Sequence, residues 1–320
     1  MAQVVGAKSS YQEPIGTGGN REDLSDILYD VSPTDTPFLT LAKKGTAKGT
    51  NHEWLTDELN APVANAVVEG NVATVVKAGS RVRLGNYTQI LEKTASVTGT
   101  QEKADKAAVK SEMAYQVARR MKEIKRDLEA ALVGTTGGAK AAGSDTVARK
   151  AGNFKSYMTS DSWAGGATST APTGNGQSAP VAGTDRAFTE AMLTTALQTL
   201  WTNSGGSDKI AALMGANIRG KFSGLQSTAT RFVTTDDARL QSSIDVYDGD
   251  FHTVTAMPDR YSDPKALFLI DKDYVSIDDF RSIFSQDLAV TGDAQSKQII
   301  WETTLKVGNP KAHYVIDALI

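Results

Sequence analysis

Cysteine is absent from this sequence of 320 residues, and that absence excludes several kinds of site. Without cysteine there are no disulfides, no thiol nucleophiles, no iron–sulfur clusters and no cysteine-ligated zinc. Long hydrophobic runs are also missing, because the longest, residues 211–216 and 266–270, fall far short of the ~20 residues that span a bilayer. We therefore expect no membrane partner, and we identify no cofactor.

An excess of one charge is missing as well. The chain has 34 Lys and Arg against 37 Asp and Glu, which gives a formal net charge of -3. A near balance of this kind provides no basic field to attract nucleic acid or anionic lipid, which argues against a dedicated DNA-binding protein. The first ten residues hold one lysine and no apolar stretch of ~7 residues, so we expect no secretory signal and synthesis in the cytoplasm.

The chain opens with a polar, glycine-rich segment over residues 1–20 that cannot bury enough apolar surface to fold alone. A short amphipathic stretch follows over residues 21–29, where Leu24, Ile27 and Leu28 share one helical face. Prolines at positions 33 and 37 then interrupt it. We predict an N-terminal arm over residues 1–44 that needs a neighbour to order it.

Residues 45–99 alternate short valine-rich stretches with single glycines, which favours an extended β-hairpin. Most apolar residues here are isolated valines, with lysine and arginine between them. Little of this segment can be core, so we predict an extended loop and no independent domain.

A long helix is predicted over residues 101–133, which contain neither glycine nor proline. Apolar residues recur there at steps of three or four from Val109 to Leu132, and Gly134 ends the pattern. At 1.5 Å per residue such a helix would be roughly 45–50 Å long and would act as a strut across the subunit.

The remaining segments predict a mixed fold. Residues 134–183 are rich in Gly, Ser, Ala and Thr and are predicted to be mostly loop, anchored by Phe154, Tyr157, Met158 and Trp163. A second helix is predicted over 185–201 and a buried strand over 210–214. Further strands are predicted at 244–247, 251–257, 266–270, 299–307 and 313–316. Because strands and helices do not alternate regularly, the class is α+β and a nucleotide-binding Rossmann domain is not supported.

Few residues form a pattern typical of a metal site. The three histidines lie far apart, and none has a partner at zinc-ligand spacing, so we predict structural roles for His52, His252 and His313. Residues 271–273 resemble the start of a calcium loop. The later positions of that motif do not match. Val275 stands where a ligand is needed, Ser276 where glycine is needed and Ser282 where glutamate is needed.

Acidic and glycine-rich clusters are equally weak signals. Three acidic groups lie beside turn residues and are predicted to be solvated turns: residues 236–237, 245–250 and 278–279. Three glycine-rich stretches lack the context of a phosphate loop or a nucleophile elbow: residues 16–19, 134–138 and 220–224. We therefore predict no catalytic, cofactor-binding or metal site, and a protein that is not an enzyme.

Two parts of the chain resemble a family of tailed-bacteriophage major head proteins. The first, NREDLSDIL at 20–28 followed by VSPTDTPF at 31–38, is similar to that family's N-terminal signature. The second resembles its closing strands and comprises YDGDFHTV at 247–254, LAVTGDA at 288–294 and ETTLKVGNPKAH at 302–313. The order and spacing of these motifs also fit, and residues 197–206 resemble the family's mid-chain helix.

This resemblance implies the Hong Kong 97 capsid fold, which has an N-arm, an extended loop, a peripheral domain with a spine helix, and an axial domain. The expected divisions are an N-arm at 1–44, an extended loop at 45–99, a peripheral domain at 100–184 with spine helix 101–133, a mainly axial domain at 185–265, and closing strands returning to the peripheral domain at 266–320.

The resemblance also implies a function. We expect a structural major capsid protein that self-assembles as hexamers and pentamers into the icosahedral head shell around the double-stranded DNA of a phage. Scaffolding, portal and decoration proteins are the expected partners, with weak nonspecific contact to DNA, assembly in the bacterial host cytoplasm and a final place in the virion. Two alternatives stay open: another virion component such as a tail or ring protein, and a metal-assisted hydrolase using the aspartate clusters.

Overall fold

The computed structural model describes residues 32–73, 79, 81–106, 108–203, 207–225, 245–290 and 292–320. Their helices are α1 (Pro37–Leu41), α2 (Gly99–Lys103), α3 (Glu112–Leu132), α4 (Glu190–Asn203) and α5 (Ala216–Ser223). Their strands are β1 (Lys43–Thr46), β2 (Asn51–Thr56), β3 (Val82–Tyr87), β4 (Gln89–Thr98), β5 (Trp163–Ala164), β6 (Lys209–Met214), β7 (Val246–Asp248), β8 (Thr253–Pro258), β9 (Leu267–Ile270), β10 (Val275–Asp287), β11 (Ala294–Val307) and β12 (Tyr314–Ile316). The α+β class is confirmed. Within the described residues, no helix is long and apolar enough to cross a membrane.

A four-stranded sheet has the order β1-β10-β11-β4. Its three long strands are antiparallel, whereas β1 runs parallel to β10. Strand β4 alternates in burial because only one of its faces meets the helix α3. Ala95 and Val97 on that face pack against Met113 and Val117 of α3, which holds the helix on the sheet.

A six-stranded sheet has the order β5-β12-β9-β6-β8-β7 and lies in the centre of the core. Its middle strands β6 and β9 are almost continuously apolar because both of their faces are covered. On β9, Leu267 and Leu269 pack with helices α4 and α5, while Phe268 and Ile270 face the larger cluster around Phe154. The predicted strand over 210–214 is confirmed as β6.

The predicted helix over 101–133 is wrong in its first third, because α2 and α3 are separated by residues 104–111. Ser111 in the break and Glu102 of α2 cap the start of α3, and a continuous helix would not need such caps. Ser111 Oγ accepts from the backbone N–H of Ala114, and the Glu102 carboxylate accepts from the N–H groups of Glu112 and Met113. Helix α3 has 21 residues and is therefore ~32 Å long rather than 45–50 Å.

Two expected boundaries do not follow the sheets. Strand β4 lies within the expected extended loop 45–99, yet it is a full member of the four-stranded sheet. The expected closing segment 266–320 is divided, since β9 and β12 belong to the six-stranded sheet and β10 and β11 to the other. Strand pairing between distant segments decides this division, and local residue patterns do not report it.

Candidate assembly interface

The hairpin formed by β2 and β3 has an exposed tip, which we define as residues 57–73. The tip contains no helix or strand, and all of its residues are exposed. Its large apolar side chains are Leu59, Val63, Val67, Val68 and Val72, which are 68–95% exposed. Such a concentration of exposed apolar side chains in one segment is typical of a surface that another protein covers.

The base of the same hairpin is fixed to the core. Trp54 and Leu84 are buried in the main cluster, so the strands themselves contribute to folding. The fully buried Asn86 donates from Nδ2 to the Leu305 carbonyl at 2.8 Å and accepts from the Gly152 N–H at 2.8 Å. The base of the hairpin is therefore fixed to the core, whereas the large apolar side chains of the tip are exposed; Glu58 at the start of the tip pairs with Lys311 at 2.6 Å.

A further hydrogen bond to this base comes from Tyr157, whose hydroxyl donates to the Gly85 carbonyl at 3.0 Å. Burial raises the pKa of Tyr157, which keeps the hydroxyl protonated and able to donate. A Cβ at Gly85 would lie 2.8 Å from Cγ of Glu53 and 3.2 Å from the His52 carbonyl oxygen, so a larger residue there would displace its neighbours. The predicted hairpin is thus present over β2 and β3, and the valines of its tip are exposed, as expected of a segment that contributes little to the core.

The three histidines lie apart, each with its own surroundings. His52 Nε2 is 2.8 Å from the Asp278 carboxylate, which connects the hairpin to β10. His313 is fully buried and accepts from the Asp271 N–H at 3.2 Å; its burial lowers its pKa to about 3, so it stays neutral. Burial also lowers the pKa of His252. No group of three metal-ligating side chains occurs among the residues that the structure describes.

The prediction of solvated turns is wrong for residues 278–279. Asp278 is buried within strand β10, and a Cβ at Gly45 of β1 would lie 2.1 Å from its Oδ1, so β1 needs glycine there. Asp279 accepts from Trp301 Nε1 at 2.8 Å. These carboxylates are structural partners inside a sheet and are not exposed.

The other candidate clusters lie at turns, at the short edge strand β7 (Val246–Asp248), or outside the described residues. Asp245 is exposed and is paired with Arg219 at 2.6 Å, at the start of the stretch 245–250. Residues 271–273 form a turn in which Asp271 accepts from the N–H groups of Asp273 and Ser207. The glycines of 134–138 follow α3, and those of 220–224 lie at the end of α5. Residues 16–19 and 236–237 lie outside the described part of the chain.

A buried carboxylate that sequence reasoning missed is Glu302 in β11. It contacts Arg149 Nη2 at 2.6 Å and Arg281 Nε at 2.7 Å, and it accepts from Thr88 Oγ1 at 2.8 Å. These contacts connect the residue between β3 and β4, the segment after α3, and strands β10 and β11 of the four-stranded sheet. No local signal reveals this cluster, because the partners of Glu302 lie up to 214 positions away.

A second unpredicted cluster centres on the buried Lys155, whose Nζ lies 2.6 Å from Asp263 and 2.8 Å from Asp317. Two carboxylates offset the cost of burying the ammonium group. The cluster joins the segment after α3 to the end of the chain, so it stabilises the fold and is not arranged for catalysis.

The end of the expected arm is also fixed to the core. Phe38 of α1 is fully buried, and the N–H groups of Phe38 and Leu39 donate to the Glu129 carboxylate at 2.6 and 2.9 Å. Burial raises the pKa of Glu129 to about 8, and the neighbouring Asp259 adds to this effect. Residues 37–44 therefore belong to the folded body rather than to a free arm.

Comparison with known proteins identifies relatives of the chain. The SU10 major capsid protein family matches residues 8–319, which is nearly the whole chain. The major capsid protein of Escherichia phage Phieco32 is 34% identical over 116 residues. That match covers 36% of this chain and 33% of the relative, so the chain aligns with about a third of that protein's length.

Solved structures show the same fold. The capsid of cyanophage A-1(L) matches with a TM-score of 0.62 at 14% identity, covering 94% of this chain and 97% of that one. The phage G structure of gp27 major capsid proteins and gp26 decoration proteins matches with a TM-score of 0.53 at 10% identity, covering 99% of both chains. The expected Hong Kong 97 fold is thereby confirmed.

Proposed function

The chain belongs to the SU10 major capsid protein family, a structural family that forms phage heads, and on that premise we propose that its copies associate as hexamers and pentamers through the hairpin tip. It is a structural protein and not an enzyme. The observation that carries the proposal is the contrast within one hairpin, whose base is locked into the core while its tip exposes apolar side chains.

The energetics of the tip favour burial against a neighbouring copy. Burying one Val or Leu side chain is worth roughly 1.5–3 kcal/mol, so the five apolar side chains of the tip could contribute about 7–15 kcal/mol before entropy costs. Ordering the side chains and restricting the subunits offsets part of that gain. The net free energy of each contact is therefore smaller than the gross gain. Contacts of moderate strength let misplaced subunits dissociate while a shell assembles.

We assign the four-stranded sheet with α3 to the peripheral domain and the six-stranded sheet with α4 and α5 to the axial domain. The assignment is supported by the family's expected order of arm, loop, spine helix and axial domain along the chain. In this assignment, each strand belongs to the domain of the sheet in which it pairs, and the domain boundaries expected from sequence at residues 99 and 265 no longer apply.

Scaffolding and portal proteins are proposed as partners during assembly in the bacterial cytoplasm, and a decoration protein as a partner on the finished shell. The phage G structure, which contains a decoration protein, supports the last of these. The near-neutral net charge of -3 supports weak and nonspecific contact with the packaged DNA, because the chain carries no excess of cations for the phosphates.

The experiment that tests this function is sedimentation and negative-stain microscopy of the purified chain, alone and with its scaffolding protein. Hollow isometric shells are expected. Tubes or rings without shells would favour a tail or ring component instead. A hydrolytic activity that disappears when Asp236 and Asp237 are changed to Asn would contradict the structural role.

A further inference from the structure

One face of α3 is exposed and basic. The helix packs on the four-stranded sheet through Met113, which lies on a different side. Three exposed cations, Arg119, Lys122 and Lys125, follow one another at steps of three, and the half-buried Arg126 follows Lys122 by four. Steps of three and four place side chains next to one another on a helix surface. We call these four side chains the basic face of α3.

The carboxylates nearest to these cations along the helix do not neutralise them. Glu129, which continues this face toward the end of the helix, is buried beneath α1. Asp127 is paired at 2.8 Å with a lysine of β4. Glu123 is contacted by Arg119 at 3.5 Å and by Arg120 at 2.7 Å, so one carboxylate serves two guanidinium groups. The basic face therefore keeps an excess of positive charge.

The positive charge extends beyond the helix. Lys44 of β1 lines the same groove as Lys125, a space of about 420 Å³ between α1, α3 and the sheet. Both lysines are exposed, and neither forms an ion pair with another described residue. The one carboxylate in the lining is Asp279, which already accepts from Trp301 Nε1 at 2.8 Å. This side of the subunit therefore attracts an anionic partner.

The basic face offers little apolar surface to such a partner. Among the described residues, none of the exposed large apolar side chains belongs to α3. The other exposed residues beside the cations are Ala114 and Ala118. Protein interfaces have an apolar core rich in aromatic side chains, whereas nucleic-acid backbones are bound by arginine and lysine through their phosphates. The composition of the face therefore favours a nucleic-acid backbone over an acidic protein.

We propose that the basic face of α3 contacts the phosphate backbone of the packaged double-stranded DNA without reading its bases. The inference rests on the proposed function of a shell around DNA and names the surface that meets it. Arg119 and Arg126 are seven residues or ~10 Å apart along the helix, and a duplex carries one charge per ~1.7 Å, so phosphates lie along this whole length. The α3 side of the four-stranded sheet then faces the inside of the shell. So few cations give a weak contact, in keeping with the net charge of -3.

Binding of a DNA duplex to single subunits tests this surface. In the full chain, at concentrations where sedimentation shows single subunits, the anisotropy of a labelled duplex is followed from about 50 to 200 mM salt. Arg119→Gln combined with Lys125→Gln removes two exposed charges. Binding should weaken at least about tenfold at the lowest salt, and the slope of log affinity against log salt should shrink by about 1.8. The matched control, Lys209→Gln with Lys272→Gln, changes two exposed lysines outside the face and should stay within about twofold of the parent.

Charge rather than side-chain shape should decide the result. Arg119→Lys combined with Lys125→Arg keeps both charges and should bind the duplex as the parent does. All of these variants should melt with the parent, because the changed side chains are exposed. Equal losses in the two glutamine pairs, or no loss in either, would overturn the proposal. A polyglutamate peptide that binds more tightly than the duplex, and only when Arg119 and Lys125 are present, would also overturn it, since the face would then serve an acidic protein.

Assembled shells test the orientation. Shells are counted by negative stain, so their absence would refute the proposed function without changing the DNA affinity measured on subunits. Linear DNA of several kilobases, too long to enter, is added to preformed shells of the parent and of the Arg119→Gln, Lys125→Gln variant. Equal binding to both is expected because the face is enclosed. Stronger binding to the parent shells would place the face outside and overturn the proposal.

Discussion

Replacing residues 59–80 by a four-residue Gly-Ser turn should leave a folded subunit that no longer forms shells. The change removes the five apolar side chains of the tip and keeps β2 and β3 with their buried Trp54 and Leu84. It also keeps Glu58, which pairs with Lys311 at 2.6 Å. The change therefore separates the contribution of the hairpin base to folding from the contribution of its tip to assembly.

The effect on the isolated subunit should be small. The removed side chains are 68–95% exposed, so they contribute almost no buried area within the subunit. Shortening the connection between Thr56 and Val82 from 25 residues to about seven reduces the loop-closure cost by about 1 kcal/mol. The melting temperature should then stay within a few degrees of the parent, or rise slightly.

The effect on assembly should be large. Loss of about 7–15 kcal/mol of apolar burial per subunit, even if entropy offsets half of it, weakens association by several powers of ten, since 1.4 kcal/mol is a factor of ten. Calorimetry for melting and particle counting by negative stain, on one preparation, measure both effects together.

Leu84→Ala is the matched control at the base of the hairpin. Leu84 is buried, so this change should cost about 2–5 kcal/mol in the free energy of unfolding while leaving the tip intact. If the shortened chain is unfolded, the tip belongs to the core and the argument from exposure fails. If it still builds normal shells, the assembly surface lies elsewhere.

Three further changes test the folded body. Val117→Asp puts a carboxylate against Ala95 and Val97 and should cost several kcal/mol in urea unfolding; a fully stable variant would show that another face of α3 packs on the sheet. Glu302→Gln leaves Arg149 and Arg281 without their buried carboxylate and should cost about 3 kcal/mol, measured by chemical denaturation; no loss would show that the pairs contribute nothing. Burial raises the pKa of Glu129 to about 8. The folded chain therefore binds the proton of the Glu129 carboxyl group more tightly than the unfolded chain does. The resulting contribution to the free energy of unfolding is lost as pH rises from about 5 to 8. The melting temperature should fall over that range, and Glu129→Gln should flatten the fall; equal slopes in both proteins would contradict the assignment.

Several features were predictable from sequence because they depend on neighbouring residues. The period of apolar residues indicated the body of α3, and the glycine at 134 indicated its end, where a Cβ would lie 2.5 Å from the Ala130 carbonyl. A short continuous apolar run indicated the buried strand β6. The scattered valines of the hairpin indicated a tip with little to bury inside its own subunit.

Other features were decided only by the tertiary structure. Strand β10 was not predicted, since its second half is polar and mostly exposed; it is a strand because it pairs along its length with β11. Asp278 looked like part of a turn and is buried, because β1 and His52 come from more than 200 positions away to cover it. Glu302 and Lys155 likewise find their partners across distant segments. The spacing of apolar residues and the residues that form turns act over short stretches and are visible in a sequence. Strand partners and buried ion pairs depend on which distant segments meet.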